Sequence, residues 1–411
     1  MPSIARKNLF EDIPRFLVAQ AGIMFAVSLV TIQTGILNGF LRSSTALIDN
    51  SDADIWISAN EMVYLELTLP IAAGLVNQAS QINGVERAEG LSIRGATWRS
   101  PNGDISPVRL IGFSPSGRLF TPGPALEGNW SDLKEPYSFF LDKTNLGSLG
   151  ISQIGDSATI GSLPAKLVGL TNQTQFIASS SYLFTSLETT NAYAISGLTS
   201  TTNCRLESGQ LLCTNVYQRQ PSPTAEPPRP LTASDTISYV LVQAQPGQNL
   251  TALKQRLTDA LPGTAAYTKS EMANRTRDYW QRRTGVGFIL GLGAVVGAIV
   301  GMVIVGQILY SSVSDHLREF GTLKAMGASD WVLYRVIMEQ ALWMAVLGYM
   351  PSIVLCVGLG AWTFATQGIM ILITPVTATG IFGITVIMCI GSALFAIQKV
   401  TKVDPAIVFK A

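Results

Sequence analysis

Four long apolar segments divide the chain, at residues 16–39, 286–310, 336–365 and 375–397. A helix that crosses a hydrocarbon core of about 30 Å needs roughly 20 predominantly apolar residues, and each segment is at least that long. A long polar stretch follows the first segment, whereas the other three lie close together. The pattern predicts four transmembrane helices, one before and three after a large polar domain.

The polar domain, residues 40–284, carries 19 of the 28 Lys and Arg residues and 20 of the 27 Asp and Glu residues. Short runs of alternating apolar and polar residues predict strands, and an Asn-Gly pair at 102–103 predicts a hairpin turn between two of them. The predicted fold class is therefore a membrane α-helical protein with a large α+β extracytoplasmic domain inserted between helices 1 and 2.

The end of this domain has a strand-helix-strand pattern. Residues 236–244 and 265–268 are typical of strands, and residues 250–260 have the apolar spacing of an amphipathic helix that opens at Asn249. Residues 271–283 follow and are dense in Arg. We expect them to continue into the second apolar segment as one long helix that projects from the membrane.

Residues 185–235 differ from the rest of the domain because they are rich in Ser, Thr, Asn and Pro. This composition predicts an inserted mobile loop. The loop contains Cys204 and Cys213, which either form a disulfide in an oxidising compartment or stay unpaired thiols. Mass spectrometry of the unreduced protein distinguishes the two.

The composition and the charges beside the apolar segments predict the membrane orientation. The chain is 47% hydrophobic and 13% charged, against about 25% charged residues in soluble proteins. Short cytoplasmic flanks carry excess Lys and Arg, and the connection 366–374 carries no charge. The basic flanking residues are Arg6, Lys7, Arg15, Arg318, Lys324, Arg335, Lys399, Lys402 and Lys410.

We therefore expect a multi-pass protein of the inner (plasma) membrane with a periplasmic domain. Residues 1–15 and 398–411 are the predicted cytoplasmic termini, and residues 311–335 are a predicted cytoplasmic coupling segment. A cleaved signal peptide is the alternative for the first apolar segment, which is longer than a typical signal core of about 7–15 residues.

The sequence offers no pattern of an enzyme site. Its single histidine, His316, lies in the coupling segment, its four cysteines lack metal-ligand spacing, and no Gly-Lys pair exists to build a phosphate-binding loop. We therefore predict no catalytic residues, no metal and no cofactor, and we expect any ATP hydrolysis to come from another chain.

The second apolar segment contains glycines at four-residue spacing, Gly293, Gly297 and Gly301. Such a track lets two helix backbones approach closely. It indicates a seam against helix 1, a seam at a dimer axis, or general packing of small residues.

Residues 315–329 alternate charged and apolar side chains at helical spacing, which predicts an amphipathic helix at the membrane face. Gly327 lies where a helix end needs a left-handed residue, and Ser329 or Asp330 is placed to cap the next helix. A solvated charged loop is the alternative interpretation.

The stretch Arg318-Glu319-Phe320-Gly321-Thr322-Leu323-Lys324-Ala325-Met326-Gly327-Ala328-Ser329 resembles the MacB/FtsX/LolC-type ABC transporter permeases. The ending Val403-Asp404-Pro405-Ala406-Ile407-Val408-Phe409-Lys410 and the one-plus-three helix arrangement are similar as well. Since the N-terminus runs directly to helix 1 with no fused ATPase, the chain is most similar to DevC-type permeases of cyanobacterial glycolipid exporters.

The resemblance implies a homodimeric permease subunit that works by mechanotransmission in the lipid bilayer. It implies a separate ABC ATPase, a periplasmic membrane-fusion adaptor, an outer-membrane duct and no nucleic acid. It places the ATPase contact on these residues: Arg318, Glu319, Phe320, Gly321, Leu323, Lys324, Met326 and Gly327.

The function expected from the resemblance is export of a lipid-like substrate, with a glycolipid as one candidate. The alternative from a different class is a signalling permease that controls an extracytoplasmic partner, such as a cell-wall hydrolase, and transports nothing. Lipoprotein release is a third option. The large size of the domain at 40–284 favours the exporter.

Overall fold

The computed structural model describes residues 13–196, 200–207, 210–217 and 225–401. The chain forms two compact units, Phe40–Arg283 and the combination of Met1–Gly39 with Thr284–Ala411. The predicted termini 1–15 and 398–411, including the family-like ending, lie largely outside the described residues.

The first helix, α1 (Ile13–Asp49), extends ten residues beyond the apolar segment predicted at 16–39. In this extension Leu47 and Ile48 are buried in the core of the unit Phe40–Arg283. The hydroxyl groups of Ser43 and Ser44 also donate hydrogen bonds to the carbonyl oxygens of Phe40 and Leu41, three residues earlier.

Short strands and helices build the unit Phe40–Arg283. Its elements are β1 (Ile55–Ala59), β2 (Ile71–Ala72), α2 (Leu75–Ser80), β3 (Val85–Arg99), β4 (Ile105–Phe113), β5 (Ala125–Glu127), β6 (Ser138–Asp142), β7 (Ser157–Ile160), β8 (Leu163–Thr171), β9 (Ser181–Ser186), α3 (Leu187–Ile195), β10 (Ser200–Glu207), β11 (Gln210–Tyr217), β12 (Thr236–Ile237), β13 (Tyr239–Ala244), α4 (Leu250–Ala260), β14 (Thr264–Thr268) and α5 (Lys269–Asp278).

One ten-stranded sheet organises this unit, in the order β14-β1-β13-β3-β4-β9-β6-β8-β5. Strand β7 pairs with both β3 and β8, so β3, β4, β9, β6, β8 and β7 close into a ring of strands. The long β3 belongs both to this ring and to the flat arm formed with β13, β1 and β14. The sheet therefore has two parts that share one strand.

The arm of the sheet is covered on both faces, which explains why every residue of β1 is buried. Successive side chains of a strand point to opposite faces. Ile55 and Ile57 join the apolar cluster that contains Leu253 of α4, whereas Trp56 joins the cluster that contains Met272 of α5. The result is a buried strand between two apolar layers, with Ser58 as its one polar residue.

The ring of strands has a separate apolar core that includes Trp98, Phe139 and Leu183. The indole Nε1 of Trp98 donates a hydrogen bond to the carbonyl oxygen of Leu149 at 3.0 Å. That bond satisfies the polar atom of a fully buried side chain, as burial of a tryptophan requires.

The strand-helix-strand pattern at the end of the domain is confirmed in its centre. Helix α4 has the predicted bounds, and the side chain of Asn249 accepts a hydrogen bond from the backbone N–H of Ala252 at 3.1 Å. The predicted strand at 236–244, however, divides at Ser238 into β12 and β13, which belong to different sheets.

The prediction of a mobile loop at 185–235 is wrong for helix α3, Leu187–Ile195. The Ser186 hydroxyl caps this helix by accepting a hydrogen bond from the N–H of Thr189 at 3.1 Å, and Tyr193 is buried. The polar composition concealed the helix because its Ser and Thr residues serve as a cap and as buried hydrogen-bonding groups.

The hairpin of β10 and β11 occupies the middle of the same stretch, and it pairs Cys204 directly with Cys213. Directly opposed residues have Cα atoms about 4.5–5.5 Å apart, which lies inside the usual disulfide range of about 4.4–6.8 Å. The register is compatible with a disulfide, which stays a prediction.

The prediction of a single long helix from residue 271 into the second apolar segment is also wrong. Helix α5 is followed by a π-helical turn, Tyr279–Arg283, and Gly285 then has a φ of 75°. A left-handed residue interrupts an α-helix, and glycine adopts this conformation without steric cost. The Arg-rich segment and the next apolar helix are therefore separate elements.

The remaining helices belong to the other unit: α6 (Val286–Asp315), α7 (Leu317–Ala325), α8 (Asp330–Gln367) and α9 (Pro375–Thr401). Within the described residues, α1, α6, α8 and α9 are the four helices long and apolar enough to cross a membrane. Four candidate spans with an α+β domain between the first two confirm the predicted fold class.

The glycine track of α6 faces other helices of the same chain. A Cβ atom added at Gly293 or Gly297 would lie 2.9 and 3.1 Å from side chains of α1. At Gly301 it would lie 2.5 Å from the Cβ of Ala26 on α1 and 2.4 Å from the sulfur of Met388 on α9. The track therefore allows close packing inside the chain, the first of the three interpretations offered above.

We predict that Gly301→Val destabilises the helical unit, because the added methyl groups overlap Ala26 and Met388. Overpacking of this kind costs about 1–3 kcal/mol. Gly291→Val is the matched control on the same helix, since a Cβ there meets nothing within 4 Å. Thermal unfolding of the purified full chain in detergent should show a lower midpoint for Gly301→Val only, and equal midpoints would contradict the assigned seam.

Candidate functional site

The coupling segment, residues 311–335, contains the helix α7 (Leu317–Ala325), which has a well-formed end. After α7, Gly327 adopts a φ of 92°. The N–H of Ala328 donates to the carbonyl of Leu323, and the N–H of Gly327 donates to that of Lys324, each at 3.0 Å. These two bonds make a Schellman motif, which ends a helix and reverses the chain within two residues.

An ion pair ties the end of α7 to the start of α8. The ammonium of Lys324 lies 3.0 Å from Oδ1 of Asp330, and the Lys324 side chain is only 18% exposed. Ser329 has the extended backbone of an N-cap residue, but its side chain makes no capping hydrogen bond. The connection is therefore short and cross-linked.

Two further residues of the predicted ATPase contact lie against the rest of the chain. Gly321 is buried, and Leu323 packs against the apolar cluster shared by α1, α6, α8 and α9. Together with Lys324, they hold the segment on the helices and present little surface to a partner.

The exposed part of the segment includes Glu319 and Met326, the latter 71% exposed. Gly327 is exposed between them and the next helix. Arg318 and Phe320 lie within α7, and their side chains are outside the described part of the structure. The residues predicted as one contact set thus divide into an exposed group and a structural group.

Trp331 and Val332, in the first turn of α8, were absent from the predicted set. Trp331 is 76% exposed, and Val332 is exposed as well. The exposure of Trp331 could have been predicted from helical periodicity. Leu333 and Ile337 are buried and mark the inner face of α8, so Trp331 lies on the outer face. In the first turn of a candidate span, an exposed Trp suits either the membrane–water interface or a bound partner.

The second feature is an aromatic cluster in the unit Phe40–Arg283, called the junction cluster and formed by Phe40, Tyr64, Phe176, Tyr279 and Trp280. The Trp280 ring lies 5.5 Å from Phe40 and 4.9 Å from Phe176, both edge to face. Tyr64 stacks on Tyr279 at 4.2 Å. The end of α1 thus packs directly against the π-helical turn through which the chain leaves the unit.

A polar clamp reinforces this packing. The guanidinium of Arg277 lies 3.0 Å from Oδ2 of Asp49 and donates to the hydroxyl of Thr45 at 3.0 Å. The Thr45 hydroxyl in turn donates to Asp49 at 2.7 Å. The last turn of α1 is therefore bound to α5 through both charge and hydrogen bonds.

The loop between β1 and β2 binds the other side of α5. The backbone N–H of Leu65 donates to the Thr276 hydroxyl at 3.3 Å, and Arg275 donates to the carbonyl of Met62 at 2.9 Å. The Tyr239 hydroxyl donates to the carbonyl of Leu65 at 2.8 Å. This loop therefore follows α5 closely.

Glu66 of the same loop connects it to the ring of strands. Its carboxylate lies 3.0 Å from Nε of Arg109 on β4, and it accepts hydrogen bonds from the hydroxyls of Ser179 and Tyr182. Burial, with the charge of Glu66, raises the pKa of Tyr182 well above its usual value. Tyr182 thus stays a neutral donor, and the loop bridges α5 to both parts of the sheet.

Among the residues that the structure describes, no group of three or more His, Cys, Asp and Glu side chains could hold a metal ion.

Comparison with known families matches most of the chain. Residues 16–260 match the MacB-like periplasmic core domain, and residues 291–405 match the FtsX-like permease C-terminal family. The second match includes the coupling segment, and the first includes α1 and most of the sheet.

Two similar proteins are both named Pyoverdine export ATP-binding/permease protein PvdT. Those of Pseudomonas syringae pv. syringae (strain B728a) and Pseudomonas savastanoi pv. phaseolicola (strain 1448A / Race 6) are 23% and 21% identical over 171 and 179 residues. These stretches are 41% and 43% of this chain, but only 26% and 27% of the relatives, so the chain spans about a quarter of their length.

Two solved structures are similar over the α+β unit. The periplasmic region of MacB from Actinobacillus actinomycetemcomitans has a TM-score of 0.34 at 11% identity, covering 55% of this chain and 94% of that one. The extracellular domain of the noncanonic ABC-type transporter YknZ from Gram-positive bacteria has a TM-score of 0.32 at 10% identity, covering 52% and 98%.

We predict that Trp280→Ala loosens the end of α1. Truncating a fully buried Trp costs about 3–5 kcal/mol, and we expect about 2–3 kcal/mol for this partly buried one. Hydrogen–deuterium exchange of the full chain should become faster for the amides of residues 40–49. Trp331→Ala is the matched control because its ring is exposed and belongs to the other unit; unchanged exchange in Trp280→Ala would contradict the role of the cluster.

Proposed function

The chain belongs to the FtsX-like permeases with a MacB-like periplasmic core domain, and we propose that it is the permease subunit of an ABC exporter with its ATPase on a separate chain. The substrate class is lipid-like, and a glycolipid is the specific candidate. The observation that carries the proposal is the large extracytoplasmic domain, whose entry and exit segments are bound together by the junction cluster and the Arg277 clamp.

The orientation that this function requires has both termini and the coupling segment in the cytoplasm. The basic residues beside the apolar helices support it, since Lys and Arg near helix ends favour the cytoplasmic side. In that orientation the exposed Glu319, Met326 and Trp331 face the compartment that holds the ATPase.

The coupling segment acts as the receiving element for ATPase movement. Two ATPase subunits that close on ATP displace whatever rests on them, and a homodimer of this chain presents one segment to each. The Schellman motif and the Lys324–Asp330 ion pair stiffen the connection between α7 and α8. A displaced segment therefore moves its helices rather than bending by itself.

The domain then converts helix movement into work on the substrate. Because α1 is one helix from Ile13 to Asp49, its last turns move as part of the domain core. The substrate is expelled from the periplasmic side into a membrane-fusion adaptor and an outer-membrane duct. The PvdT relatives are named as export proteins, which supports export over signalling.

We predict that Trp331→Ala and Glu319→Ala each reduce capture of the ATPase that co-purifies with the wild-type chain, by about tenfold or more for Trp331→Ala. An exposed aromatic anchor commonly contributes over about 2 kcal/mol to an interface. Trp362→Ala is the matched control, since this exposed Trp lies on the same helix about 47 Å away along its axis. Undiminished capture by both variants, at wild-type thermal stability, would refute the docking assignment.

A second experiment separates export from signalling. We expect cells without the chain to lose a specific lipid or glycolipid from the extracted envelope and outer-membrane fractions, and to regain it when the wild-type gene is restored. The Trp331→Ala variant should restore less of it than Trp362→Ala. An unchanged lipid and metabolite profile, together with altered cell-wall hydrolysis, would favour the signalling permease instead.

A further inference from the structure

A cleft of about 770 Å³ lies entirely within the unit Phe40–Arg283, beside the segment that leads into α6. One side is formed by α5 and the π-helical turn, and the other by the start of the loop after β1 and by β14. Its size is within the range of about 300–1,000 Å³ that small-molecule sites occupy. Neither the export mechanism nor the family match assigns it a ligand.

Three guanidinium groups line this cleft, from Arg275, Arg282 and Arg283. Arg275 is held in place because it donates to the carbonyl of Met62 at 2.9 Å and lies over the ring of Tyr267, 5.2 Å from its centroid. A guanidinium has five N–H donors, so a fixed Arg275 keeps others for a ligand.

Arg282 and Arg283 lie at the end of the π-helical turn over Tyr279–Arg283, and both line the cleft. Turns of this kind are frequent at functional sites. Both side chains are exposed.

The charges of the cleft do not cancel. Lys254 pairs with Glu271 at 2.7 Å, and Arg282 lies 3.8 Å from Asp278, a long and exposed contact worth little. In the described part of the chain, no acidic oxygen lies within 4.0 Å of the guanidinium of Arg275 or Arg283. The acidic side chain that remains, Glu61, is exposed.

The cleft also has an apolar side. Met62, Val63 and the Tyr279 ring line it next to the arginines. Arg283 precedes the first residue of the apolar helix α6, Val286, by three positions. A site with cationic and apolar sides so close in sequence to a membrane span fits an amphiphile that arrives from the bilayer.

We propose that this cleft binds the anionic headgroup of a membrane lipid, with Arg275 and Arg283 as the main ligands of its phosphate and with Arg282 supporting them. The planar guanidinium of arginine can donate two parallel hydrogen bonds to two oxygens of one phosphate. The inference concerns lipid binding alone and does not depend on export or on an ATPase.

The test uses the full chain in detergent, titrated with dioctanoyl phosphatidylglycerol or dioctanoyl phosphatidylcholine and analysed by native mass spectrometry. We expect phosphatidylglycerol to bind at least tenfold more tightly. Arg283→Gln should weaken that binding at least fivefold without changing thermal stability, because the side chain is exposed and holds no described partner. Arg275→Gln should weaken binding by a similar factor and also lower the thermal midpoint, because the hydrogen bond to the Met62 carbonyl is lost.

Arg118→Gln is the matched control, an exposed arginine of the same unit outside the cleft. A third arm adds inorganic phosphate as a competitor. If phosphate alone displaces the lipid at equal concentration, the site binds a free anion and the lipid assignment is overturned. Equal binding of the two lipids, or wild-type binding by both Arg275→Gln and Arg283→Gln, overturns the proposal altogether.

Discussion

The edge-to-face contact between Phe40 and Trp280 is the interaction on which the rest of this architecture depends. A domain inserted between two membrane helices can drift on its linkers unless the entering and leaving segments are fixed to its core. Here the entering segment is the buried end of α1, and the leaving segment is α5 with its π-helical turn. Aromatic packing and the Arg277–Asp49 clamp hold these two segments side by side. Both are therefore fixed at the same place in the domain.

The loop after β1 connects these two segments to the rest of the domain. Thr276 and Arg275 hold the loop on α5, and Glu66 holds it on Arg109 in the ring of strands. Glu66 is largely buried, and removing either charge of such a pair would leave the other without compensation, which is strongly destabilising. The loop after β1 thus links α5 to the ring of strands through one ion pair, in which the Glu66 side chain is 6% exposed.

The local parts of this design could be predicted from the sequence. Asn249 indicated the start of α4, and Gly327 indicated the end of α7, because helix caps depend on a few adjacent residues. The four apolar helices were equally clear. The Glu66–Arg109 pair could not be found this way, since periodicity carries no information about which distant side chains meet. Helix α3 was missed because its segment is rich in Thr, which is also common in loops.

The sequence indicated where the amphipathic helix of the coupling segment lies, but not which of its residues are exposed. The charge and apolar pattern located the coupling segment, yet a pattern does not tell whether a lysine serves a partner or its own fold. Lys324 is nearly buried beside Asp330, and Trp331 lies exposed one residue further on. Exposure depends on how α7 and α8 meet at the Schellman turn, which is a tertiary property.

The break at Gly285 makes the two connections to the domain unlike in secondary structure. The connection through α1 is one α-helix from Ile13 to Asp49, whereas Gly285 has a φ of 75° between the π-helical turn and α6. A continuous helix keeps its backbone hydrogen bonds through the connection, but a left-handed residue interrupts them, and glycine adopts that conformation without steric cost. The hydrogen-bond ladder is therefore continuous along α1 and broken before α6.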